Sequence, residues 1–178
     1  MDMVPEIAGK GLRLRPVVPE DAAFIHGLRT DPVYNTHLSA VTGTVADQRA
    51  WITAYKTREA AGAEVYYILE RLDGVPCGVV RLYDITTDSF TWGSWILNED
   101  KPPKAALESA LLSFSVGFVS LGLARADIDV RKENQKAITF YRRFGMVETG
   151  EDADNLYFEL TRARFAGLRD TLYEKLEA

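Results

Sequence analysis

The sequence is poor in the residues that build disulfides and metal sites. It contains one cysteine, Cys77, which excludes an internal disulfide and a cysteine-rich metal site. It contains two histidines, His26 and His37, which are too few for a histidine-rich metal centre. We therefore expect no metal cofactor. Cys77 begins the apolar run of VPCGVV and is expected to be a buried small hydrophobe rather than a reactive thiol.

Long apolar runs and an excess of positive charge are also missing. No apolar run approaches the roughly 20 residues needed to cross a bilayer, so we expect no membrane partner. The N-terminal residues MDMVPEIAGKG show no basic-then-apolar export pattern, which favours a cytoplasmic protein. A net charge of -5 speaks against nucleic acid as a partner.

The residues that are present indicate one globular domain over 1–178. A chain of 178 residues that is 47% hydrophobic and 26% charged can bury a single core. Leucine alternates with arginine in GLRLRPVV, which predicts a strand with one wet face. A helix is expected from Pro19 until Asp31-Pro32 ends it, and Thr44 with Asp47 should cap a second helix.

Further along the chain, periodicity and turn signals predict the remaining elements. The expected strands are 64–71, 75–83, 89–97, 126–130 and 156–160, with another at Val147, and the expected helices are 103–121, the segment from 134, and 162–177. The strand–helix–strand order after residue 89 implies a parallel crossover, whereas the hairpins are antiparallel. We therefore expect an α/β (α+β) fold in which a mixed, strongly twisted sheet has helices on both faces.

The segment NQKAITFYRRFGM carries the strongest functional signal. Asn134 and Tyr141 are separated by nearly two helical turns, so both side chains point to one side, roughly 10 Å apart. Asparagine at a helix start is often only a cap, and tyrosine near a helix end is often only an amphipathic core residue. A helix that lines a ligand channel would use both residues as polar contacts.

The order of elements and the run DVRKENQKAITFYRRFGM resemble the GNAT acyl-CoA N-acyltransferase superfamily over about residues 11–160. The N-terminal half, with GLRLRPVVPEDA and WITAYKTRE, is similar to the branch that contains the ribosomal-protein N-terminal acetyltransferases. FTWGSWIL followed by PPKAALESAL is similar to acetyltransferases associated with bacterial surface polysaccharides.

This resemblance implies acetyl-CoA as the cosubstrate and a pair of splayed strands that hold it. Pantetheine would pair with the strand backbone at Ser94, Trp95, Ile96 and Leu97, and Asn134 would bind the pantetheine or pyrophosphate region. Tyr141 would protonate the departing thiolate. The chemistry agrees, because a phenol with a pKa near 10 is not ionised at neutral pH and so still has a proton to give to the departing thiolate of a thiol with a pKa near 8.5.

One segment departs from the family pattern. Where the family has a glycine-rich turn that binds the coenzyme pyrophosphate, this chain has KPPKAA at residues 101–106. Either the loop has lost this ability, or the amides of Lys104, Ala105 and Ala106 still face the anion while the charge of Lys101 or Lys104 assists; we favour the second. Lys136 belongs to a basic cluster whose charge either helps to bind the coenzyme or only forms a solvated surface. The other members of the cluster are Arg131, Lys132, Arg142 and Arg143.

No general base for the acceptor amine stands out in the sequence. The candidates are Asp84, Asp88, Glu148, His26 and His37, and the loop with Tyr34, Asn35 and His37 is expected to shape the acceptor pocket. Trp92 and Trp95, which flank Gly93 and Ser94, are expected on one side of their strand, as core or as a platform for a sugar or nucleotide.

The resulting hypothesis is an acetyltransferase that moves an acetyl group from acetyl-CoA to a primary amine of a small molecule in a ternary complex. A nucleotide-linked amino sugar is one candidate acceptor; a protein N-terminus and a non-catalytic acyl-CoA-binding module are the alternatives. The C-terminal helix carries an apolar stripe that covers either its own sheet or a second subunit, and we expect a homodimer; its residues are Phe165, Leu168, Leu172 and Leu176.

Overall fold

The computed structural model describes residues 4–37 and 42–178, and its strands join one eight-stranded sheet. The strands are β1 Ile7–Ala8, β2 Leu12–Pro16, β3 Val65–Arg71, β4 Pro76–Tyr83, β5 Ser89–Leu97, β6 Arg125–Arg131, β7 Val147–Glu151 and β8 Asn155–Thr161. The helices are α1 Ala22–Thr30, α2 Pro32–Asn35, α3 Val45–Ala60, α4 Ala105–Ser115, α5 Gln135–Phe144 and α6 Arg162–Glu177.

The sheet is mixed, as predicted. Its strand order is β1-β2-β3-β4-β5-β6-β8-β7, and β5 and β6 are the parallel pair within it. The other neighbouring strands are antiparallel. The crossover between β5 and β6 runs through α4, which explains why a long helix separates these two strands.

Helices cover both faces of the sheet, which confirms that expectation. On one face, α1 and α3 pack over a core that contains Ile25, Tyr55 and Tyr66; we call this the α1/α3 face. On the other face, α4, α5 and α6 enclose the larger core, and we call it the α4 face. Cys77 is buried in that larger core, where burial raises its pKa to about 11, so the thiol stays protonated at neutral pH.

Two predicted local patterns are confirmed in detail. In β2, Leu12 and Leu14 are buried, while Arg13 and Arg15 turn to the other face and bind Glu70 on β3. At the start of α3, the Thr44 side chain accepts a hydrogen bond from the Asp47 amide, and the Asp47 carboxylate accepts one from the Thr44 amide. Local sequence thus sets both the strand face and the helix start.

The structure also contains two short elements that the sequence patterns did not predict. The two-residue strand β1 is too short to show an alternation. Asp31 and Pro32 were predicted only to end the first helix, but they also begin helix α2. The Asp31 side chain accepts a hydrogen bond from the Val33 amide, and Pro32 occupies the first turn. The predicted helix at 103–121 is also modified, since its last turn, Val116–Ser120, is a π-helix.

The apolar stripe of α6 packs within its own chain. Phe165 and Leu172 are buried, and Leu168 and Leu176 pack against the same core. The Phe165 ring lies 5.2 Å from that of Phe118. The stripe is therefore not the surface for a second subunit, which corrects the reason given for a homodimer; the homodimer itself stays a prediction. Among the residues described, no helix combines the length and the apolar character needed to cross a membrane.

Candidate active site

The parallel strands β5 and β6 pair for only part of their length. Their register joins Ser89 to Arg125, Phe90 to Ala126 and Thr91 to Asp127, and beyond these residues the two strands separate. The gap holds a cavity of about 260 Å³ that we call the slot. Its lining residues are His37, Trp92, Gly93, Ser94, Trp95, Asp129, Val130, Arg131, Asn134, Ala137, Tyr141 and Asn155. The predicted splayed strand pair is therefore present.

A β-bulge shapes the β5 side of the slot. Val79 pairs with Ile96 and Arg81 pairs with Gly93, so Ser94 and Trp95 together lie opposite one residue of β4. Ser94 has a left-handed φ of 50°, which is uncommon for a residue other than glycine and is typical of functional sites. The bulge thus sits where the slot opens.

The bulge also explains how the two tryptophans share one side. Residues three apart in a regular strand point to opposite faces, so simple alternation does not give the predicted arrangement. In the structure the ring centroids of Trp92 and Trp95 lie 5.0 Å apart, and their indole N–H groups donate to the hydroxyls of Ser113 and Ser109, respectively, on α4. Their common side is confirmed, but the bulge produces it, and both rings face the α4 core.

Helix α5 forms the opposite wall of the slot. The Asn134 side chain accepts a hydrogen bond from the Ala137 amide at 3.3 Å, so this residue caps the helix as well as lining the slot. The helix ends at Gly145, whose φ of 107° suits glycine. These two ends fix the rotation of the helix, and Asn134, Ala137 and Tyr141 all face the slot.

Tyr141 is buried at the inner end of this wall, with 6% of its surface exposed. Its ring packs against Trp92 and Phe158 at centroid distances of 6.0 and 5.6 Å. Burial raises the pKa of its phenol well above the usual value, and the negative charge of Asp129 acts in the same direction. The phenol therefore stays protonated at neutral pH, as a general acid must before it acts.

The residues predicted to hold the coenzyme lie in different surroundings. Ser94 and Trp95 line the slot. Ile96 and Leu97 pair with β4, and β5 has no ladder to β6 along this stretch. An open strand edge offers backbone donors and acceptors. Lys136 is exposed on α5 and is not a lining residue of the slot.

In the KPPKAA segment, Lys104 has a backbone conformation that glycine adopts more easily than other residues. Lys104 adopts a left-handed φ of 62° immediately before α4, and no side chain caps that helix start. The Lys104 ammonium group donates to the carbonyls of Lys175 and Leu176 at 2.9 and 3.3 Å and also to that of Ala178. Its charge is therefore directed toward the end of α6, whereas the first-turn amides of α4 have no side-chain cap.

The basic cluster around α5 is partly neutralised by carboxylates. Lys132 pairs with Glu151 at 3.0 Å, and Arg142 pairs with Glu148 at 2.6 Å. Arg131 lines the slot. The cluster is thus divided between a solvated face with ion pairs and one arginine at the slot.

The candidate bases are not brought together. Among them, His37 lies at the slot, in the segment that follows α2. His26 bonds instead to the Gly43 carbonyl at 3.1 Å, and Glu148 is paired with Arg142. Asp84 and Asp88 lie in the turn between β4 and β5.

Sequence reasoning missed two polar residues of the slot, Asp129 on β6 and Asn155 on β8. Arg131, which was predicted only as a member of the basic cluster, is on β6 and pairs with Asn155. The signal was the alternation in RADIDVR, where Ala126, Ile128 and Val130 are buried and the residues between them are not. That pattern identifies the polar face of β6, but only the splay brings this face to the slot.

The family model that describes an acetyltransferase (GNAT) domain matches residues 11–147. This chain belongs to the GNAT acetyltransferase family. Among solved structures, apo FdhC, a nucleotide-linked sugar GNAT, is 39% identical with a TM-score of 0.87, covering 93% of this chain and 95% of FdhC. No curated protein matches the chain.

More distant GNAT structures share the fold. A spermidine N-acetyltransferase from Vibrio cholerae in complex with CoA and spermine is 21% identical, with a TM-score of 0.77 over 89% of this chain and 99% of that one. A ribosomal-protein-S5-alanine acetyltransferase from Vibrio fischeri is 13% identical, with a TM-score of 0.77 over 89% and 97% of the two chains. Because it belongs to the GNAT family, the chain is an acyl-CoA-dependent N-acetyltransferase, and the splay between β5 and β6 is its candidate active site.

Proposed function

We propose that this GNAT acetyltransferase transfers the acetyl group of acetyl-CoA to the primary amine of a nucleotide-linked amino sugar, in a ternary complex. The observation that supports this acceptor most directly is the likeness to FdhC, a nucleotide-linked sugar GNAT, at 39% identity over 95% of that chain. The Vibrio cholerae spermidine N-acetyltransferase, whose structure is in complex with CoA and spermine, is only 21% identical.

In this proposal the coenzyme enters the slot as an additional strand. The backbone of Ser94–Leu97 pairs with pantetheine, and Asn134 contacts the coenzyme from α5. The diphosphate lies against the amides of Lys104, Ala105 and Ala106, which is supported by the left-handed turn at Lys104 and by the lack of a side-chain cap on α4. The Ala105 amide also donates to the Pro102 carbonyl at 3.3 Å, so it would be shared with the diphosphate. Lys136, which is exposed, adds long-range positive charge rather than a contact.

The chemistry requires an acid at one side of the thioester and a proton acceptor at the other. Tyr141, buried and protonated, donates its proton to the CoA thiolate when the C–S bond breaks. The amine attacks the thioester carbon, forms the amide C–N bond and gives up a proton. Asp129 lines the slot from β6, is exposed to solvent and lies close enough to influence Tyr141, so it is suited to receive that proton.

Replacing Asp129 by asparagine is therefore expected to lower kcat/KM for the acceptor by about 10²-fold, the lower range for general base catalysis. The KM for acetyl-CoA should change little. Steady-state kinetics with each substrate varied in turn provides the measurement. Asp127→Asn is the matched control, because Asp127 is on the same strand but pairs with Arg125 and does not line the slot. If His37→Gln causes the large loss and Asp129→Asn does not, His37 is the base.

The function itself is tested by acetyl-CoA consumption with three classes of acceptor. These are UDP- and dTDP-linked hexoses with a free amine, spermine, and a peptide with an N-terminal alanine. We expect kcat/KM for one of the nucleotide-linked sugars to exceed the others by at least about 10²-fold, as expected for a site that hydrogen-bonds its substrate. Preference for spermine or the peptide would overturn the acceptor. CoA binding by calorimetry without turnover of any acceptor would favour a non-catalytic module.

A further inference from the structure

Three arginines from distant parts of the chain meet on the α1/α3 face beside the slot. Arg29 is in the last turn of α1, Arg58 is near the end of α3, and Arg81 is on β4. The guanidinium groups of Arg58 and Arg81 lie 5.1 and 5.4 Å from the Trp51 ring. We call these three residues the arginine cluster.

The positive charge of the cluster is only partly neutralised. Within the described ranges, Glu64 is the carboxylate paired with the cluster, binding Arg58 at 3.0 Å and Arg81 at 2.9 Å. The Arg29 Nε has no hydrogen-bond partner among the same residues. Two guanidinium groups thus share one carboxylate and Arg29 adds a third positive charge, which leaves a net positive site in an acidic protein.

A second unpartnered group points to a ligand at this place. The Tyr66 hydroxyl is buried, with 1% of the residue exposed, and no acceptor for its proton lies within hydrogen-bond distance in the described part of the chain. Burial raises the pKa of this phenol, whereas the Arg29 guanidinium group, by its charge and as a hydrogen-bond donor, and the charge of Arg81 oppose the rise. Buried polar groups without partners are uncommon in native proteins, because each one loses its hydrogen bonds to water. A bound anion would satisfy both Tyr66 and Arg29.

The cluster is also directly connected to the slot. Arg81 pairs in register with Gly93, whose backbone lines the slot, and its guanidinium group lies 4.4 Å from the Tyr83 ring. A Cβ atom added at Gly93 would meet the Tyr83 hydroxyl at 3.3 Å, so this phenol packs against a residue that lines the slot. Two strand spacings, at least about 10 Å, separate Arg81 on β4 from Asp129 on β6.

The arginine cluster and Asp129 together fit an acceptor that has a negatively charged group at one end and an amine at the other. The cationic cluster would repel spermine, which carries only positive charge. A nucleoside diphosphate sugar with a free amine can place its diphosphate at the cluster and its amine near Asp129, with the hexose between them. The Trp51 ring already packs against Tyr55 at 5.9 Å and against Arg58 and Arg81, but the residue is 36% exposed, and this exposed part is available to a base.

We propose that Arg29 and Arg81, with the Tyr66 hydroxyl, bind the diphosphate of the acceptor nucleotide, and that Trp51 stacks on its base. This subsite is separate from the coenzyme diphosphate site at the start of α4. The inference rests on the proposed function, because it names the residues that would recognise the nucleotide part of that acceptor.

The test uses UDP and dTDP without a sugar as probes, titrated by calorimetry into the protein saturated with CoA. Arg29→Gln should raise the Kd of the preferred nucleoside diphosphate at least about tenfold, since a charge-assisted hydrogen bond is lost. Its Kd for CoA should stay unchanged. Arg125→Gln is the matched control, because it removes the same charge from an exposed pair with Asp127 and should change the nucleotide Kd less than about twofold.

Trp51→Ala gives a second, independent readout, because Trp51 is partly exposed and its loss should weaken nucleotide binding without unfolding the protein. Kinetics should show the nucleoside diphosphate as a competitive inhibitor against the acceptor and not against acetyl-CoA. Competition against acetyl-CoA, or an unchanged nucleotide Kd in Arg29→Gln, overturns the subsite.

The subsite and the function can fail separately. If nucleotide-linked amino sugars are acetylated but Arg29→Gln leaves their KM unchanged, the subsite is wrong and the function stands. If no sugar is acetylated but nucleotide binding depends on Arg29, the subsite stands and the acceptor must be another anionic amine. If neither nucleoside diphosphate binds, the subsite is overturned whatever the outcome for turnover.

Discussion

Replacing Tyr141 by phenylalanine is expected to lower kcat at least tenfold, and up to about 10²-fold, while the Kd for CoA changes little. The reason is local, because the substitution removes a hydroxyl from a buried wall of the slot and leaves the ring contacts with Trp92 and Phe158 in place. A group that acts mainly when the thiolate departs contributes to the transition state more than to ground-state binding. Pre-steady-state kinetics would show whether chemistry limits turnover.

The pH dependence of the wild-type enzyme gives a further check on Tyr141. A general acid must be protonated, and the pKa of Tyr141 is raised by burial, so its proton is retained to higher pH than in an ordinary tyrosine. We therefore expect no loss of kcat from Tyr141 ionisation below about pH 10.

The control for the Tyr141→Phe substitution is Tyr157→Phe, which should leave kcat unchanged, because Tyr157 is exposed and its hydroxyl bonds to Asp152 on the protein surface. An unchanged kcat in Tyr141→Phe, with chemistry limiting, would make Tyr141 only a packing residue.

The α5 wall of the slot was predictable because its determinants are local. Asn134 and Gly145 fix the two ends of the helix, and the helical period then places Tyr141 on the same side as Asn134. The resemblance to the GNAT family supplied the role of Tyr141, but the geometry of this wall follows from residues within two or three turns of one another.

The β5 side of the slot depends on pairing that sequence patterns do not reveal. The bulge at Ser94 exists only in the register with β4, where Gly93 lies opposite Arg81 and Ile96 lies opposite Val79. Gly78 contributes to this register, because a Cβ atom there would meet the Ile96 carbonyl at 2.2 Å. No local periodicity encodes such a contact, so the sequence predicted the common side of the tryptophans without its cause.

Long-range charge placement was the least predictable part. Lys104 was expected to add charge near the coenzyme, yet its ammonium group binds carbonyls of α6, more than seventy residues away in sequence. Arg29, Arg58 and Arg81 were not recognised at all, because they come from α1, α3 and β4 and meet only when both helices pack on the sheet. Asp129 was missed for the same reason, since its role depends on where β5 and β6 separate.

The two tryptophans of the slot should differ sharply in what their loss does. Trp92 has 1% of its surface exposed, stacks 4.8 Å from Phe114 and donates to Ser113 at 2.9 Å. Trp92→Ala leaves a large cavity in the main core, so we expect it to reduce the free energy of unfolding by about 3–5 kcal/mol. That is a large part of the roughly 5–15 kcal/mol that holds a typical domain folded.

Trp95→Ala should instead weaken coenzyme binding more than it weakens the fold. Trp95 is only partly buried, packs on Phe140 at 5.0 Å and lines the slot, so we expect part of its side chain to contact pantetheine. Urea unfolding followed by circular dichroism gives the stability of both variants, and calorimetry with CoA gives the Kd of the folded fraction. We expect Trp95→Ala to cost about half the stability lost in Trp92→Ala, because less apolar surface is withdrawn from the core. Equal stability losses with an unchanged Kd for CoA would show that Trp95 belongs to the core alone and that pantetheine does not run along this side of the slot.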